Sequence, residues 1–354
     1  MLCTFFLLLY GSGIVLAATL HVPGRYVTIQ EAVRNAAAGD TILVAAGKYR
    51  LYFDNLTINN ESLILKSVQG ARQTTIVGKS GLPVITFAGK SRAVIDGFTI
   101  TSEYIDGRAS PNGGGIYCAP VTSPVITNNV IIENISVFGG ALYCDTQSSP
   151  TISDNFIAGN RALVSGGGIF SFRSSATMSR NRLQENEAAN SGGAISCNRD
   201  SSRVTNNILW MNRARFGGGI ACDRAASIIG NNTLVGNKAD FGGGIVVDRG
   251  SVRLTNLILW QNSAGDLYMK ETGPAARPVF SDIQDGSFRG MNGNIEQDPL
   301  FMDPKQGDFH LQPNSPCKDK GMFDSFYMDV EGSANDMGAY GGPGAFMREL
   351  VNQL

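Results

Sequence analysis

A short block of residues recurs six times along this chain at an almost constant spacing, and this repeat limits the folds that the chain can adopt. Each block consists of two glycines, a small residue and an aliphatic residue. The blocks are Gly113-Gly114-Gly115-Ile116, Gly139-Gly140-Ala141-Leu142, Gly166-Gly167-Gly168-Ile169, Gly192-Gly193-Ala194-Ile195, Gly217-Gly218-Gly219-Ile220 and Gly242-Gly243-Gly244-Ile245. The aliphatic residues are 26, 27, 26, 25 and 25 positions apart. Such a period is typical of repeat architectures, in which each repeat packs on its neighbours.

Two asparagine registers follow the same step. The first contains Asn129, Asn155, Asn181, Asn207 and Asn232, with Leu257 in the last copy. The second contains Asn134, Asn160, Asn186, Asn212, Asn237 and Asn262. Asparagine adopts left-handed backbone angles in turns, and stacked side-chain amides can bond to one another. We therefore expect two turn ladders, with the glycine pairs supplying positive φ at a tight corner.

The segments between these markers are short and apolar. Val130-Ile131-Ile132, Ile208-Leu209-Trp210 and Leu257-Ile258-Leu259 are far shorter than helices and rich in residues that suit strands. A coil of about 25 residues cannot form a core alone, so coils must stack with their strands about 4.8 Å apart. The 43 glycines and the charged fraction of 17% agree with many short strands and turns. The sequence predicts an all-β, single-domain parallel β-helix solenoid.

Motifs at both ends and in the repeats support this interpretation. The start contains Thr28-Ile29-Gln30-Glu31-Ala32-Val33, Ala38-Gly39-Asp40-Thr41-Ile42-Leu43-Val44 and Gly47-Lys48-Tyr49. The end contains Asp298-Pro299-Leu300-Phe301, Asp308-Phe309-His310-Leu311, Ser315-Pro316-Cys317 and Asp336-Met337-Gly338-Ala339-Tyr340. With these motifs the chain resembles the right-handed parallel β-helix proteins of the pectate-lyase-like superfamily. Its repeats, such as Phe156-Ile157-Ala158-Gly159-Asn160 followed by Gly167-Gly168-Ile169, are similar to those of chlamydial-type polymorphic outer-membrane proteins. The resemblance implies a right-handed solenoid.

Both ends of a solenoid need covering, because unpaired strand edges recruit other chains. We expect residues 18–344 to form the β-helix, with an N-terminal cap at 18–50, a C-terminal cap at 290–344 and a tail at 345–354. In the N-terminal cap, the predicted helical face consists of Ile29, Ala32, Val33 and Ala36. Thr28 can cap the start of that helix, and Gly39 can end it.

The first 17 residues carry no charge and are mostly apolar. Residues 1–17 are interpreted as a signal peptide; the alternative is a short membrane anchor. No later stretch reaches the roughly 18 to 20 apolar residues that cross a bilayer, so no integral membrane segment is expected after it. A secreted or cell-surface location follows. The net charge of -1 gives no reason to expect nucleic acid as a partner.

Four cysteines occupy one register, two positions after the aliphatic residue. They are Cys118, Cys144, Cys197 and Cys222, and Ser171 and Val247 fill the other two copies. Since side chains two positions apart share a strand face, we expect a buried, reduced cysteine ladder. A disulfide between neighbouring coils remains an alternative, although parallel strands make its torsion unfavourable. With two histidines in the chain and inward thiols, neither a metal site nor a cofactor is expected.

Function is expected on the outward registers of the same strand. Three positions after the aliphatic residue, four copies carry polar residues: Asp145, Asn198, Asp223 and Asp248. Four positions after it, four successive copies carry arginine: Arg173, Arg199, Arg224 and Arg249. An arginine row with a spacing of about 4.8 Å could bind the carboxylates of a uronate polymer. Alternatively, each arginine neutralises an adjacent aspartate, as the pairs Asp223–Arg224 and Asp248–Arg249 suggest.

One position after the aliphatic residue lie Tyr117, Tyr143 and Phe170. They form either an exposed strip on which sugar rings stack or a surface covered by the inserted loop from Ser102 to Asn112. Asp223 and Asp248, on adjacent coils, are the candidate pair of carboxylates for glycosidic hydrolysis.

Two functions therefore remain open, because fold alone does not imply activity. The first is an exported, non-catalytic protein that binds a polysaccharide or a cell-surface glycan. The second is a polysaccharide lyase or glycoside hydrolase acting on a uronate-containing polymer. A purely structural role also fits every feature of the repeat.

Overall fold

In the computed structural model, the chain is a parallel β-solenoid with one strand of each long sheet in every coil. The structure describes residues 17–52, 54–103, 107–271, 276–322 and 328–345. The predicted signal peptide, apart from Ala17, and nearly all of the predicted tail lie outside the described residues. Across the described ranges, no helix is long and apolar enough to span a membrane.

The elements follow one another in a regular order. The N-terminal part contains β1 (Thr19–Val22), α1 (Ile29–Asn35), β2 (Thr41–Val44), β3 (Gly47–Arg50), β4 (Leu56–Ile58), β5 (Ile64–Ser67), β6 (Thr74–Lys79), β7 (Ile85–Phe87), β8 (Val94–Asp96), β9 (Thr99–Glu103) and β10 (Ser110–Asn112). The central part contains β11 (Ile116–Cys118), β12 (Val125–Thr127), β13 (Val130–Ile132), β14 (Ile135–Phe138), β15 (Leu142–Cys144), β16 (Thr151–Ser153), β17 (Phe156–Ala158), β18 (Arg161–Ser165), β19 (Ile169–Phe172), β20 (Thr177–Ser179), β21 (Arg182–Gln184), β22 (Glu187–Ala188), β23 (Ile195–Asn198), β24 (Arg203–Thr205) and β25 (Ile208–Trp210). The C-terminal part contains β26 (Ile220–Ala225), β27 (Ile228–Gly230), β28 (Thr233–Val235), β29 (Ile245–Gly250), β30 (Arg253–Thr255), β31 (Ile258–Trp260), β32 (Leu267–Lys270), β33 (Asp282–Ile283), β34 (Phe301–Asp303) and β35 (Asp308–Leu311).

These strands form three long parallel sheets along the described part of the chain. One runs β1-β2-β5-β8-β12-β16-β20-β24-β27-β30, the second runs β4-β7-β11-β15-β19-β23-β26-β29-β32, and the third runs β3-β6-β9-β13-β17-β21-β25-β28-β31-β33. We call the second the site sheet. Its register pairs Ile116 with Leu142 and Leu142 with Ile169, so the sequence repeat equals one coil. The predicted all-β solenoid is confirmed.

The interior of the solenoid is mostly apolar, because the alternate residues that each strand buries are mainly aliphatic. The predicted cysteine ladder is confirmed: Cys118, Cys144, Cys197 and Cys222 are buried free thiols. In the site sheet, Cys118 pairs with Cys144 and Cys197 with Cys222. A hydrogen bond with Cys118, followed by burial, raises the pKa of Cys144, and a hydrogen bond with Cys222, followed by burial, raises the pKa of Cys197.

The asparagine ladders form as predicted, but with one difference in the backbone. In both ladders the side-chain amide of one asparagine donates to the next, as from Asn155 Nδ2 to Asn181 Oδ1 at 3.0 Å. The left-handed residue is the one before the ladder asparagine: Asp154 has φ 59° and Arg180 has φ 52°. The buried asparagine is therefore free to bond the backbone of neighbouring coils, as Asn155 Nδ2 does to Ile126 O.

The glycine corners confirm the second turn prediction. The first glycine of each pair has positive φ, as in Gly139 at 66°. The second glycine is required by packing, because a Cβ on Gly140 would lie 2.2 Å from Gly167 O of the next coil. At each corner, the first glycine adopts a positive φ and the second leaves room for the backbone of the next coil.

The N-terminal helix is present and is shorter than expected. Thr28 Oγ1 accepts a hydrogen bond from Glu31 N at 3.1 Å, and Ile29 and Ala32 are buried. The helix ends at Asn35 with Ala36 in extended conformation, before Gly39 is reached. Residues 18–50 also contain strands β1, β2 and β3, so this segment forms the first coil as well as the cap.

The C-terminal segment differs from the predicted end cap at 290–344. Phe288, just before it, packs against the solenoid core. From Asp298 onward, the described residues of the segment lie along the side of the third long sheet and cover outward residues of that sheet. Gly307 O accepts from Arg182 Nη1 at 2.9 Å, and Thr233 Oγ1 accepts from Ala339 N at 2.9 Å. The physical reason is the apolar outward surface of that sheet, which this segment buries together with Phe309 and Met337.

Candidate functional site

The outward face of the site sheet carries the residues predicted from the sequence. Strands alternate between core and surface, so Ile220 and Cys222 are buried in the core while Asp223 is partly exposed. The C-terminal segment covers part of the third sheet, whereas it makes no described contact with the aspartate and arginine columns of the site sheet. This face is therefore the candidate functional site.

The acidic register is built from neighbouring coils. Asn198 pairs with Asp223, and Asp223 pairs with Asp248, in the register of β23, β26 and β29. Asn198 Nδ2 donates to Asp223 Oδ2 at 3.2 Å. Two coils nearer the N-terminus, Tyr117 Oη donates to Asp145 Oδ2 at 2.6 Å. Burial, reinforced by this hydrogen bond, raises the pKa of Tyr117.

The arginine register lies at the C-terminal ends of the strands of the site sheet, at left-handed positions. Arg173, Arg199, Arg224 and Arg249 have φ of 48°, 52°, 51° and 58°. This conformation recurs at the same point in four coils, directly after β19 and β23 and near the ends of β26 and β29. The four guanidinium groups therefore belong to one edge of the site sheet.

Arg249 differs from the other three because it holds two carboxylates. Its Nη2 atom lies 3.3 Å from Asp223 Oδ1, and its Nε atom lies 3.1 Å from Asp248 Oδ1. The hydrogen bond to Asp248 is the main cause that raises the pKa of Arg249. The predicted pair Asp248–Arg249 is present. Asp223 is paired with Arg249 of the next coil and not with the adjacent Arg224, because the long side chain of Arg249 reaches across one strand spacing.

The remaining arginines are available to a ligand. Arg173, Arg199 and Arg224 are exposed. Arg173 lies over the ring of Phe172, at 5.3 Å from its centroid. Among the described residues, Arg199 and Arg224 form no ion pair.

The predicted aromatic strip is mostly closed. Tyr143 is 7% exposed and Phe170 is 6% exposed, while Tyr117 is half-buried. The rings of Tyr143 and Phe170 pack on each other, and Phe138 packs on Phe170 at 5.1 Å between centroids. Burial raises the pKa of Tyr143. The interpretation of these residues as an open stacking surface is therefore wrong for Tyr143 and Phe170, because neighbouring rings cover them.

A second aromatic group was missed by the sequence analysis. The rings of Phe216 and Phe241 stack with centroids 5.2 Å apart, and Tyr268 lies 5.7 Å from Phe241. Phe241 is 42% exposed and Tyr268 is 39% exposed. Phe216 and Phe241 directly precede the glycine pairs, as Phe138 does, and this shared position is the signal that the sequence contains.

Small side chains separate this aromatic group from the arginines. Phe216 and the glycine corner precede β26, and Ala221, Asp223 and Arg224 follow within it. In the adjacent coils Ser196 and Val246 occupy the position of Ala221. In the C-terminal half of the face, the exposed rings therefore lie on one side of the column formed by Ser196, Ala221 and Val246, and the guanidinium groups lie on the other side.

No metal centre is found in the part of the chain that the structure describes, since no three His, Cys, Asp or Glu side chains are grouped to hold an ion. The site therefore consists of guanidinium, carboxylate and aromatic groups. These groups can bind anions and sugar rings.

Comparison with known proteins identifies the family to which this chain belongs. The sequence matches the family described as right handed beta helix region over residues 12–208, which is more than half of the chain. The chain belongs to this family. The recognised fold and its right-handed sense are thereby confirmed.

Solved structures were compared as well. The β-helix is similar to pectate lyase Pel9A, with 15% identity, a TM-score of 0.49, and coverage of 93% of this chain and 97% of that chain. It is also similar to the PL6 family alginate lyase AlyGC, with 14% identity, a TM-score of 0.36, and coverage of 80% of this chain and 49% of that chain. No curated protein matches the sequence.

Proposed function

We propose that this β-helix is an exported protein that binds a uronate-containing polysaccharide along the outward face of its site sheet, without cleaving it. The observation that carries the proposal is the pair Arg199 and Arg224. Both are exposed, they occupy the same position in adjacent coils, and neither has an ion pair among the described residues.

Two unpaired guanidinium groups on adjacent coils repel each other. At a separation near the strand spacing, the repulsion in water is on the order of 1 kcal/mol. A polymer with one carboxylate per sugar reverses the sign of this interaction, because each guanidinium can bind a carboxylate through two parallel hydrogen bonds. The exposed rings of Phe241 and Tyr268 provide apolar surface for the faces of sugar rings.

The acidic residues support binding more than hydrolysis. A glycoside hydrolase needs two carboxyl groups with separate roles, one as a proton donor and one as a nucleophile or base. Asp223 and Asp248 instead contact the same guanidinium of Arg249. This arrangement is that of an ion-pair network, which fixes the edge of the face on which Arg199 and Arg224 lie.

Export is supported by the uncharged, apolar start of the sequence, residues 1–17. Fractionation of cells that express the full chain, followed by N-terminal sequencing, tests this part. We expect exported protein that begins near Ala18. Retention of residues 1–17 on a membrane-bound chain would support the anchor and contradict the signal peptide.

Binding is tested by titrating purified protein with polygalacturonate in a calorimeter at two salt concentrations. We expect the double variant Arg199→Ala/Arg224→Ala to bind at least tenfold more weakly, and the wild-type affinity to fall with added salt. The matched control is Arg203→Ala/Arg253→Ala, which removes two exposed cations from the first long sheet. Equal weakening by both double variants would refute the face, and an unsaturated or reducing-end product released by the wild type would refute a non-catalytic role.

A further inference from the structure

A cavity lies at the N-terminal end of the site sheet. It has a volume of about 600 Å³ and is lined by residues from the exposed side of α1, the segment leading into β4, and β4 itself. Thr57 of β4 forms part of the wall and points outward. In the register of the site sheet, Thr57 pairs with Thr86, and Thr86 pairs with Tyr117. The cavity is thus the first position of the outward column that continues along the proposed binding face.

The lining has the chemistry of a site for an acidic sugar. Tyr52 presents an aromatic ring that is 69% exposed. Arg34 is exposed on the helix and, across the described ranges, has no ion pair. Gln30 and Asn55 add amide groups, and Asp54 adds a carboxylate that can accept from sugar hydroxyls.

The walls of the cavity are held in place by neighbouring coils. Asn55 Nδ2 donates to Thr86 Oγ1 at 2.7 Å, and Thr57 Oγ1 donates to Asn55 Oδ1 at 3.1 Å. Arg50, which also lines the cavity, forms an ion pair with Glu103. These contacts leave Arg34 and Tyr52 open to a ligand, together with Gln30 and Asp54.

The position of the cavity indicates which part of a polymer it meets. Helix α1 contacts β1, β2 and β4 and closes the solenoid at this end. In the described part of the site sheet, β4 is the first strand. A polymer that follows the outward column toward the N-terminal end of the solenoid therefore reaches the end of the site sheet beside this cavity. The volume of the cavity lies within the usual range for small-ligand pockets, roughly 300 to 1,000 Å³.

We infer that this cavity binds the terminal uronate residues of the polysaccharide, with Arg34 pairing with a carboxylate and Tyr52 stacking on a sugar ring. The inference rests on the proposed function for its ligand class. It adds a second site, five strand spacings from Ser196, which is roughly 24 Å along the axis. A disaccharide cannot span the two sites, so once Arg199 and Arg224 are removed it reports on the cavity alone.

The test measures digalacturonate binding by calorimetry for Arg199→Ala/Arg224→Ala, which serves as the parent protein because only the cavity site remains in it, and for three variants made in this background. We expect Tyr52→Ala and Arg34→Ala, each added to the parent, to weaken binding at least fivefold. Lys90→Ala, which removes an exposed cation outside the cavity, is the control and should match the parent. Absence of digalacturonate binding to the parent, or equal affinity of the parent with and without Tyr52→Ala, would overturn the inference.

A second arm tests the preference for chain ends. In the Arg199→Ala/Arg224→Ala background only the cavity remains, so binding capacity per gram of polygalacturonate should rise as the polymer is cut shorter. Capacity that is independent of chain length would overturn the terminal site. If Tyr52→Ala weakens digalacturonate binding while Arg199→Ala/Arg224→Ala leaves the affinity for long polygalacturonate unchanged, the proposed binding face is refuted and the cavity site is supported. If Tyr52→Ala has no effect on digalacturonate while Arg199→Ala/Arg224→Ala weakens binding of the long polymer, the cavity site is refuted and the binding face is supported.

Discussion

Replacing Asn186 by alanine removes a complete set of buried hydrogen bonds from the second asparagine ladder. Its Nδ2 donates to Ile157 O at 2.8 Å and to Asn212 Oδ1 at 3.0 Å. Its Oδ1 accepts from Asn160 N at 3.1 Å and from Asn160 Nδ2 at 3.0 Å. At roughly 1 kcal/mol for each hydrogen bond, the expected loss is about 4 kcal/mol. The backbone N–H of Asn160 suffers most, because Asn186 provides its acceptor.

The matched control is Asn190→Ala in the same coil, where the asparagine is exposed and its side chain makes no hydrogen bond with the described residues. Its expected effect is below about 0.5 kcal/mol. Urea denaturation, followed by circular dichroism, gives the stability of each variant. Hydrogen exchange should in addition show faster exchange at Asn160 in Asn186→Ala alone. A loss below about 1 kcal/mol, or unchanged exchange at Asn160, would refute the assignment of the ladder as a main stabilising element.

Three further predictions concern the packing and the C-terminal segment. Burial raises the pKa of Asp282, which accepts from Cys317 Sγ, to about 6 from the usual 3.8. The folded state favours the protonated carboxyl of Asp282, so this contribution to the free energy of unfolding is fully present below about pH 4 and is lost as the pH rises through 6. Between pH 4 and 7 the free energy of unfolding should therefore fall by roughly 3 kcal/mol more in the wild type than in Asp282→Asn. An equal pH dependence of the melting temperature in both proteins would contradict this. Cys144 and Cys197 are buried with raised pKa, so iodoacetamide should label them only after unfolding, and rapid labelling of the native protein would contradict the ladder. Gly140→Ala should cost about 3 kcal/mol because its Cβ would meet backbone of the next coil, whereas Gly230→Ala, with only ordinary contacts, should be nearly neutral in the same urea assay.

Strand register could be predicted from the sequence because it is local and repeated. The glycine pairs and asparagines mark one corner each, and a one-residue slip would turn every inward residue outward. The observed pairing of Ile220 with Ile245 follows directly from their spacing of 25 residues. The inward cysteines follow from the same alternation.

Other features depend on side-chain reach and on contacts distant in sequence. Arg249 bridges two coils, and the sequence shows only which aspartate is adjacent to it. The path of the C-terminal segment depends on contacts such as that between Arg182 and Gly307, which are 125 residues apart, and Gly307 lies outside the periodic region. Ser165 and Ser191 occupy the same register as Phe216 and Phe241, so the sequence shows no continuous aromatic column there. The structure shows that Phe216 and Phe241 stack on each other.

The most direct test of the account is a crystal structure of the protein with a bound oligogalacturonate long enough to cover several coils. The account predicts sugar electron density along the outward face of the site sheet, with carboxylates within hydrogen-bond distance of Arg199 and Arg224. Density over another sheet, or over this face without contacts to those two arginines, would contradict it.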